Sequence, residues 1–252
     1  MSLNKLILVT GGARRIGAAI ASKFAEQGYH VIISANTNMP LAQQLAADLM
    51  AKHTGVKVGV VKGNLAKGEE VTAMAHAIIN HELTIECGGL DGLVHNASVY
   101  KAANFGDDQK EGLDALYEHT AVHLTGPYLL TQALLEPLKA KRGCIVALTD
   151  TSAGRSWPDL EHYTATKAAL RQLMMNLAGS LGKYGVRANC VAPGYILEAE
   201  DVNEDTEKLL ARIPMQRMGS PNDIAGAVLY FMQASYCTGQ TLAVDGGLSV
   251  SS

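Results

Sequence analysis

The chain has 252 residues, is 48% hydrophobic and carries a formal net charge of -3 at neutral pH. That size and apolar content support one domain with a large core, and the dispersed basic residues form no stripe for a nucleic acid. No apolar run approaches a membrane span, and Met1 to Lys5 lacks the charged start and apolar stretch of a secretion signal, so a cytoplasmic protein is expected.

The first element is the apolar run Leu6-Ile7-Leu8-Val9, which reads as a buried strand. It enters the turn Thr10-Gly11-Gly12-Ala13-Arg14-Arg15-Ile16-Gly17, which opens a helix amphipathic through Ile16, Ile20 and Phe24. Free amides at such a helix start would receive a pyrophosphate. Further strands are predicted at His30 to Ser34, Lys57 to Lys62, Gly92 to Asn96, Cys144 to Thr149, Arg187 to Ala192 and Thr241 to Asp245. Helices are predicted at Leu41 to Lys52, Glu69 to His81, Leu113 to Leu138, Tyr163 to Leu181 and Pro221 to Phe231, with Pro40 and Pro221 standing where a first helical turn tolerates proline. The alternation predicts an α/β fold: a single-domain, Rossmann-type, doubly wound and mostly parallel seven-stranded sheet with helices on both faces, spanning residues 1–252. Cys87, Cys144, Cys190 and Cys237 are widely spaced and read as reduced, packed thiols.

Tyr163 and Lys167 stand one helical turn apart on one face, where the lysine cation is expected to lower the tyrosine pKa and make the phenol a usable proton donor. Asp150 precedes the tyrosine by thirteen residues. His119 and His123 share the spacing of a metal pair, but no third ligand or intervening Glu supports one, so no metal is expected. Glu198 to Asp205 reads as a solvated acidic face. Trp157 either lines a pocket or simply packs.

Thr10-Gly11 through Gly17, Asn64-Leu65, Asn96-Ala97, the Tyr163/Lys167 pair, Pro193-Gly194 and Val244-Asp245-Gly246-Gly247 follow one another in an order that resembles the short-chain dehydrogenase/reductase family over nearly the whole chain. The resemblance implies a nicotinamide cofactor and hydride transfer. It places the cofactor against Gly11, Arg14, Arg15, Ile16, Ser34, Asn36, Thr37, Asn64, Leu65, Asn96, Ala97, Ser98, Lys167, Pro193 and Gly194, and a mobile substrate loop at about 194–215. It also implies a homotetramer built on the Leu113 to Leu138 and Tyr163 to Leu181 helices and the segment near Val244 to Val250.

Four departures from the general pattern narrow the resemblance. Arg15 replaces the middle glycine of the turn, Asp150 stands where serine is usual, Ser98 and Tyr100 follow Asn96-Ala97, and His123 replaces asparagine. Together they look like the pteridine reductases and the bacterial dihydromonapterin reductases. That likeness implies Asp150, Tyr163 and Lys167 as catalytic residues, and Arg15, Ser98, Tyr100, Asp150 and Tyr163 against a pterin such as dihydromonapterin, dihydrobiopterin or dihydrofolate. Ser98 would bond either the heterocycle or a cofactor phosphate.

The chemistry of Asp150 agrees. A ketone develops negative charge on oxygen during reduction and is served by a neutral donor, whereas a ring nitrogen must gain a proton, which a carboxylate beside a tyrosine can assist. The competing role for Asp150 is a cap for the turn after its strand. Ser34-Ala35-Asn36-Thr37-Asn38 contains no acid to bind ribose hydroxyls, and Arg14 adds positive charge nearby, so NADPH is expected, and an Asp at Ala35 would move the preference toward NADH. The alternatives are a carbonyl reductase of the 3-oxoacyl type and a non-catalytic dinucleotide sensor.

Overall fold

Alternation at period two decides which way each strand faces. In the computed structural model, which describes residues 5–103, 109–196 and 206–250, Leu6 and Leu8 of β1 (Leu6–Thr10) join one core cluster, and Ile7 and Val9 join the other. The same division recurs in β2 (His30–Ala35), with Ile32 against Val31 and Ile33, and in β5 (Cys144–Leu148), with Ile145 and Ala147 against Val146 and Leu148. A strand apolar on both faces must be covered on both, and it is.

The helices α1 (Arg15–Glu26), α2 (Met39–Lys52) and α10 (Pro221–Gln233) cover the first face through Ile20, Phe24, Leu49, Ile224, Val228 and Phe231. Phe24 and Phe231 are almost fully buried, so truncating either to Ala costs about 3–5 kcal/mol. The second face is covered by α3 (Gly68–Ile79), α4 (Glu82–Cys87), α6 (Gly126–Ala133), α7 (Leu135–Lys141) and α8 (Glu161–Leu181), through Met74, Ile78, Leu83, Leu130, Leu138 and Met174.

With β3 (Val58–Lys62), β4 (Gly92–His95), β6 (Arg187–Pro193) and β7 (Thr241–Val244), the strands form one seven-stranded, all-parallel sheet in the order β3-β2-β1-β4-β5-β6-β7. The order reverses between β1 and β4, and a crevice opens there beyond the carboxyl ends of the strands. The ends of six strands therefore deliver Thr10, Ala35, Lys62, His95, Leu148 and Pro193 to one edge. Among the described residues, no helix is long and apolar enough to cross a membrane.

Three details depart from the sequence expectation. The predicted helix from Leu113 to Leu138 is observed as α5 (Gln109–Thr120), a π-helical segment (Ala121–Thr125), α6 and α7. The predicted Glu69 to His81 helix stops at Ile79, because His81 turns extended and caps α4 through its ring, accepting from the Leu83 N–H at 3.2 Å. A short helix, α9 (Thr206–Ala211), lies within the expected substrate loop, whose residues 197–205 fall outside the described set.

Candidate active site

Thr10 holds the crevice together from the end of β1. Its hydroxyl donates to the Val94 carbonyl at 3.1 Å and accepts from the Asn96 and Ala97 N–H groups at 3.0 and 3.1 Å. Asn96 returns the tie, its Nδ2 donating to the carbonyls of Thr10 and Gly11 at 2.8 and 3.1 Å. The Asn96 amide group is thus spent on shaping the turn. Gly11 has φ +61°, and a Cβ at Gly17 would collide with the Gly11 carbonyl and stand 2.6 Å from Asn96 Nδ2. A backbone turn kept this bare, opening the N-terminus of α1, is a cradle that fits a dinucleotide pyrophosphate.

Arg14 and Arg15 are both exposed at that turn, while Ile16 is half-buried. Arg15 has φ +53°, a left-handed conformation that glycine adopts freely and arginine adopts with roughly 1–2 kcal/mol of strain. The Gly12 N–H donates to the Ser34 carbonyl at 3.2 Å, which sets the turn beside the end of β2. Asn36 and Thr37 are exposed just beyond it, but the Ser34 side chain is 3% exposed and Ala35 packs into the core. Of the two positions that follow Ser34, Ala35 is buried and Asn36 is exposed. Asn64 accepts the Ala66 N–H at 2.9 Å while Leu65 is buried behind it. Gly194 is required by the approach of Asp245, whose Cβ would lie 2.6 Å from a Cβ there.

Asp150 follows β5 and does two things at once. One carboxylate oxygen accepts the Ser152 N–H at 2.7 Å and caps the short 3-10 turn Thr151–Gly154. The other accepts the Tyr163 hydroxyl at 2.8 Å. The cap and the contact with Tyr163 coexist because a carboxylate has two oxygens.

Tyr163 is nearly buried, and burial, then the charge of Asp150, then the hydrogen bond to it push its pKa well above the ordinary phenol value. This is opposite to the lowering expected from Lys167. The lysine ammonium lies 5.7 Å from the tyrosine ring centroid and donates to the Leu148 carbonyl at 2.9 Å, so it acts on the phenol less closely than Asp150 does. Burial lowers the lysine itself to about 8, against the opposing pull of Asp150. Tyr163 is consequently a neutral phenol whose proton points at a carboxylate.

Of the expected substrate residues, Asp150 and Tyr100 contact Tyr163, and Ser98 is tied to it through His123. The Tyr100 ring, 58% exposed, meets the Tyr163 ring edge-on at 5.2 Å between centroids. Ser98 is exposed and bonded to His123 at 2.8 Å. Behind the tyrosine, the His119 and His123 rings stand 6.0 and 5.6 Å from it, and His119 packs 4.5 Å from His162. His119 and His123 make ring and hydrogen-bond contacts, and among the described residues no group of three His, Cys, Asp or Glu is placed to hold a metal ion. Trp157 lines a cavity of about 220 Å³ with Thr151, Ser152, Tyr195 and Arg212 beside the Asp150 turn.

Sequence reasoning missed Thr10, Thr166 and His162 as parts of this assembly. A threonine before the glycine turn and another before Lys167 were the available signals. Their partners lie far away in sequence or on the peptide backbone, so spacing could not announce them.

A family model described as Enoyl-(Acyl carrier protein) reductase matches residues 11–249. The chain is 35% identical to an L-rhamnose 1-dehydrogenase (NAD(P)(+)) of Azotobacter vinelandii, over 98% of each. It is 31% identical to a 3-oxoacyl-[acyl-carrier-protein] reductase FabG of Staphylococcus epidermidis, over 98% of this chain and 99% of that one. These names are not those of pteridine reductases. A short-chain dehydrogenase/reductase mutant from Serratia marcescens superposes with a TM-score of 0.87 at 29% identity, covering 97% of this chain and 98% of that one. A blue fluorescent protein from a metagenomic library, in complex with NADPH, gives 0.86 at 29% identity and 97% coverage of both. On sequence match, fold and site together, the chain belongs to the short-chain dehydrogenase/reductase family.

Proposed function

We propose that this protein uses NADPH to reduce a C=N bond of a pterin, of the dihydromonapterin, dihydrobiopterin or dihydrofolate type. The observation that carries the reading is the 2.8 Å hydrogen bond from the Tyr163 hydroxyl to Asp150. A carboxylate there raises the phenol pKa and opposes a developing oxyanion, but it suits a nitrogen that must be protonated. Bound NADPH would supply the hydride. The bare turn from Gly11 to Gly17 would hold its pyrophosphate, and Arg14, Asn36 and Thr37 its 2'-phosphate. A proton taken up from water by Asp150 would reach the substrate nitrogen through Tyr163, which gives its own hydroxyl proton outward and takes one back from the carboxyl group. Tyr100 offers an exposed aromatic face to a flat heterocycle.

The names of the relatives favour a second reading, reduction of a 3-oxoacyl ester or oxidation of a sugar. One assay separates them: the change in nicotinamide absorbance with dihydropterins, with a 3-oxoacyl ester, and with L-rhamnose and NADP+. Pterin turnover well above the other two is expected. Efficient ester or sugar turnover without pterin turnover would overturn the proposal.

A further inference from the structure

Both ring nitrogens of His123 are assigned by their neighbours. The Val99 N–H reaches Nε2 at 3.3 Å, and an amide N–H can only donate, so Nε2 presents a lone pair. Nδ1 therefore carries the proton of the neutral ring and donates it to Thr166 Oγ1 at 3.0 Å. Thr166 in turn donates to the carbonyl of His162 or Tyr163, each at 2.9 Å. Ser98 Oγ stands 2.8 Å from the same Nε2, and a hydroxyl facing a lone pair must donate. Its other acceptor, the Val99 carbonyl, is farther away at 3.3 Å. His123 is 1% exposed, and burial holds its pKa at about 2, so the ring stays neutral wherever the protein is folded and active.

We propose that His123 is a positioning residue that fixes Ser98 as a hydrogen-bond acceptor at the mouth of the cleft, so that the substrate group Ser98 selects is an N–H or NH2 donor. The hydroxyl has given its hydrogen away, and only its lone pairs remain for a ligand. A phosphate or carbonyl oxygen has no hydrogen to offer them, which removes the cofactor phosphate as the partner of Ser98. A free serine would accept either kind of group; a locked one discriminates, because the wrong group leaves two acceptors face to face. The lock is tied to the chemistry, since His123 also bonds Thr166 on the helix that carries Tyr163.

The inference rests on the reading of this cleft as a pterin reductase site, and two measurements keep the two separable. Nitrogen NMR of histidine-labelled protein reports the His123 tautomer without any substrate. Protonated Nδ1 with bare Nε2 is expected, and the reverse overturns the proposal. Steady-state kinetics then compare a dihydropterin with its analogue lacking the 2-amino group. Ser98→Ala should raise KM for the amino-bearing compound by about 5- to 10-fold, the effect of one neutral hydrogen bond, with kcat and the NADPH KM held. Ser98→Thr should restore it, and the analogue should be indifferent to both changes. Equal losses for both compounds, or a change confined to the NADPH KM, would sink the assignment. Turnover of neither compound rejects the pterin reading, and the tautomer measurement still decides whether Ser98 is locked.

Discussion

Asp150→Asn separates the two jobs of one carboxylate. The amide keeps an oxygen for the Ser152 N–H, and Asn caps a turn about as well as Asp, so unfolding free energy should change by less than about 0.5 kcal/mol. What the substitution removes is the charge that, with its hydrogen bond, lifts the Tyr163 pKa, and the carboxylate that can take up a proton from water and relay it across 2.8 Å. Loss of a positioned proton-transfer partner lowers turnover by about 100-fold or more, equivalent to roughly 2.7 kcal/mol in the barrier. The assay is NADPH oxidation with a dihydropterin, alongside denaturant unfolding of the same preparation. Asp150→Ser should show the same loss for pterins while leaving or improving any ketone reduction, because it restores a neutral donor. If Asp150→Asn reduces pterins within about threefold of the parent, the residue is only a cap and the chemical case for a pterin fails.

NADPH should be preferred over NADH by at least about tenfold, one charge-assisted phosphate contact, and Asn36→Asp should narrow that ratio; equal efficiency in the parent would refute the cofactor reading. Arg15→Gly relieves the φ of +53° and should raise stability by about 1 kcal/mol while weakening cofactor and pterin KM, measured by thermal unfolding and kinetics together. Burial holds the folded His95 near 3 and His123 near 2 against about 6.5 unfolded. Their contribution is therefore complete above the unfolded value and is lost as pH falls below it, about 2.7 kcal/mol for the two between about pH 7.5 and about pH 5.5 by denaturant titration. A homotetramer that covers the exposed Leu113, Leu116 and Tyr117 of α5 and Met175 of α8 is expected from the family resemblance, and a monomeric mass by light scattering at micromolar concentration would exclude it.

The strands were legible because most are short runs rich in Val, Ile and Leu, and the site residues because their order resembles that of a known family. Asp150 was singled out by the family resemblance, as the residue thirteen before Tyr163 that stands where serine is usual. The hydrogen bonds of Thr10 could not be read in this way, since they join residues 84 to 87 positions apart. The sequence showed His123 at i,i+4 from His119, a spacing that names no partner, and in the place of a usual asparagine. Its partners Ser98 and Thr166 lie 25 and 43 positions away and arrive only when β4 and α8 pack beside it. The expected effect of Lys167 on Tyr163 failed for a related reason: burial and a nearer anion outweigh a cation one turn along.

The π-helical stretch Ala121–Thr125 bears on what a single-codon deletion would do to this gene. A π turn holds one residue more than an α turn needs, so losing one residue there lets α5 and α6 close into ordinary helix without breaking the rod. The extra residue is taken up within one wide turn, so the faces of α5 and α6 would keep their relation when it is lost, and His119 would stay packed against His162 and Tyr163. A deletion at this point would be absorbed within a single turn, where a deletion in a neighbouring strand would scramble the core.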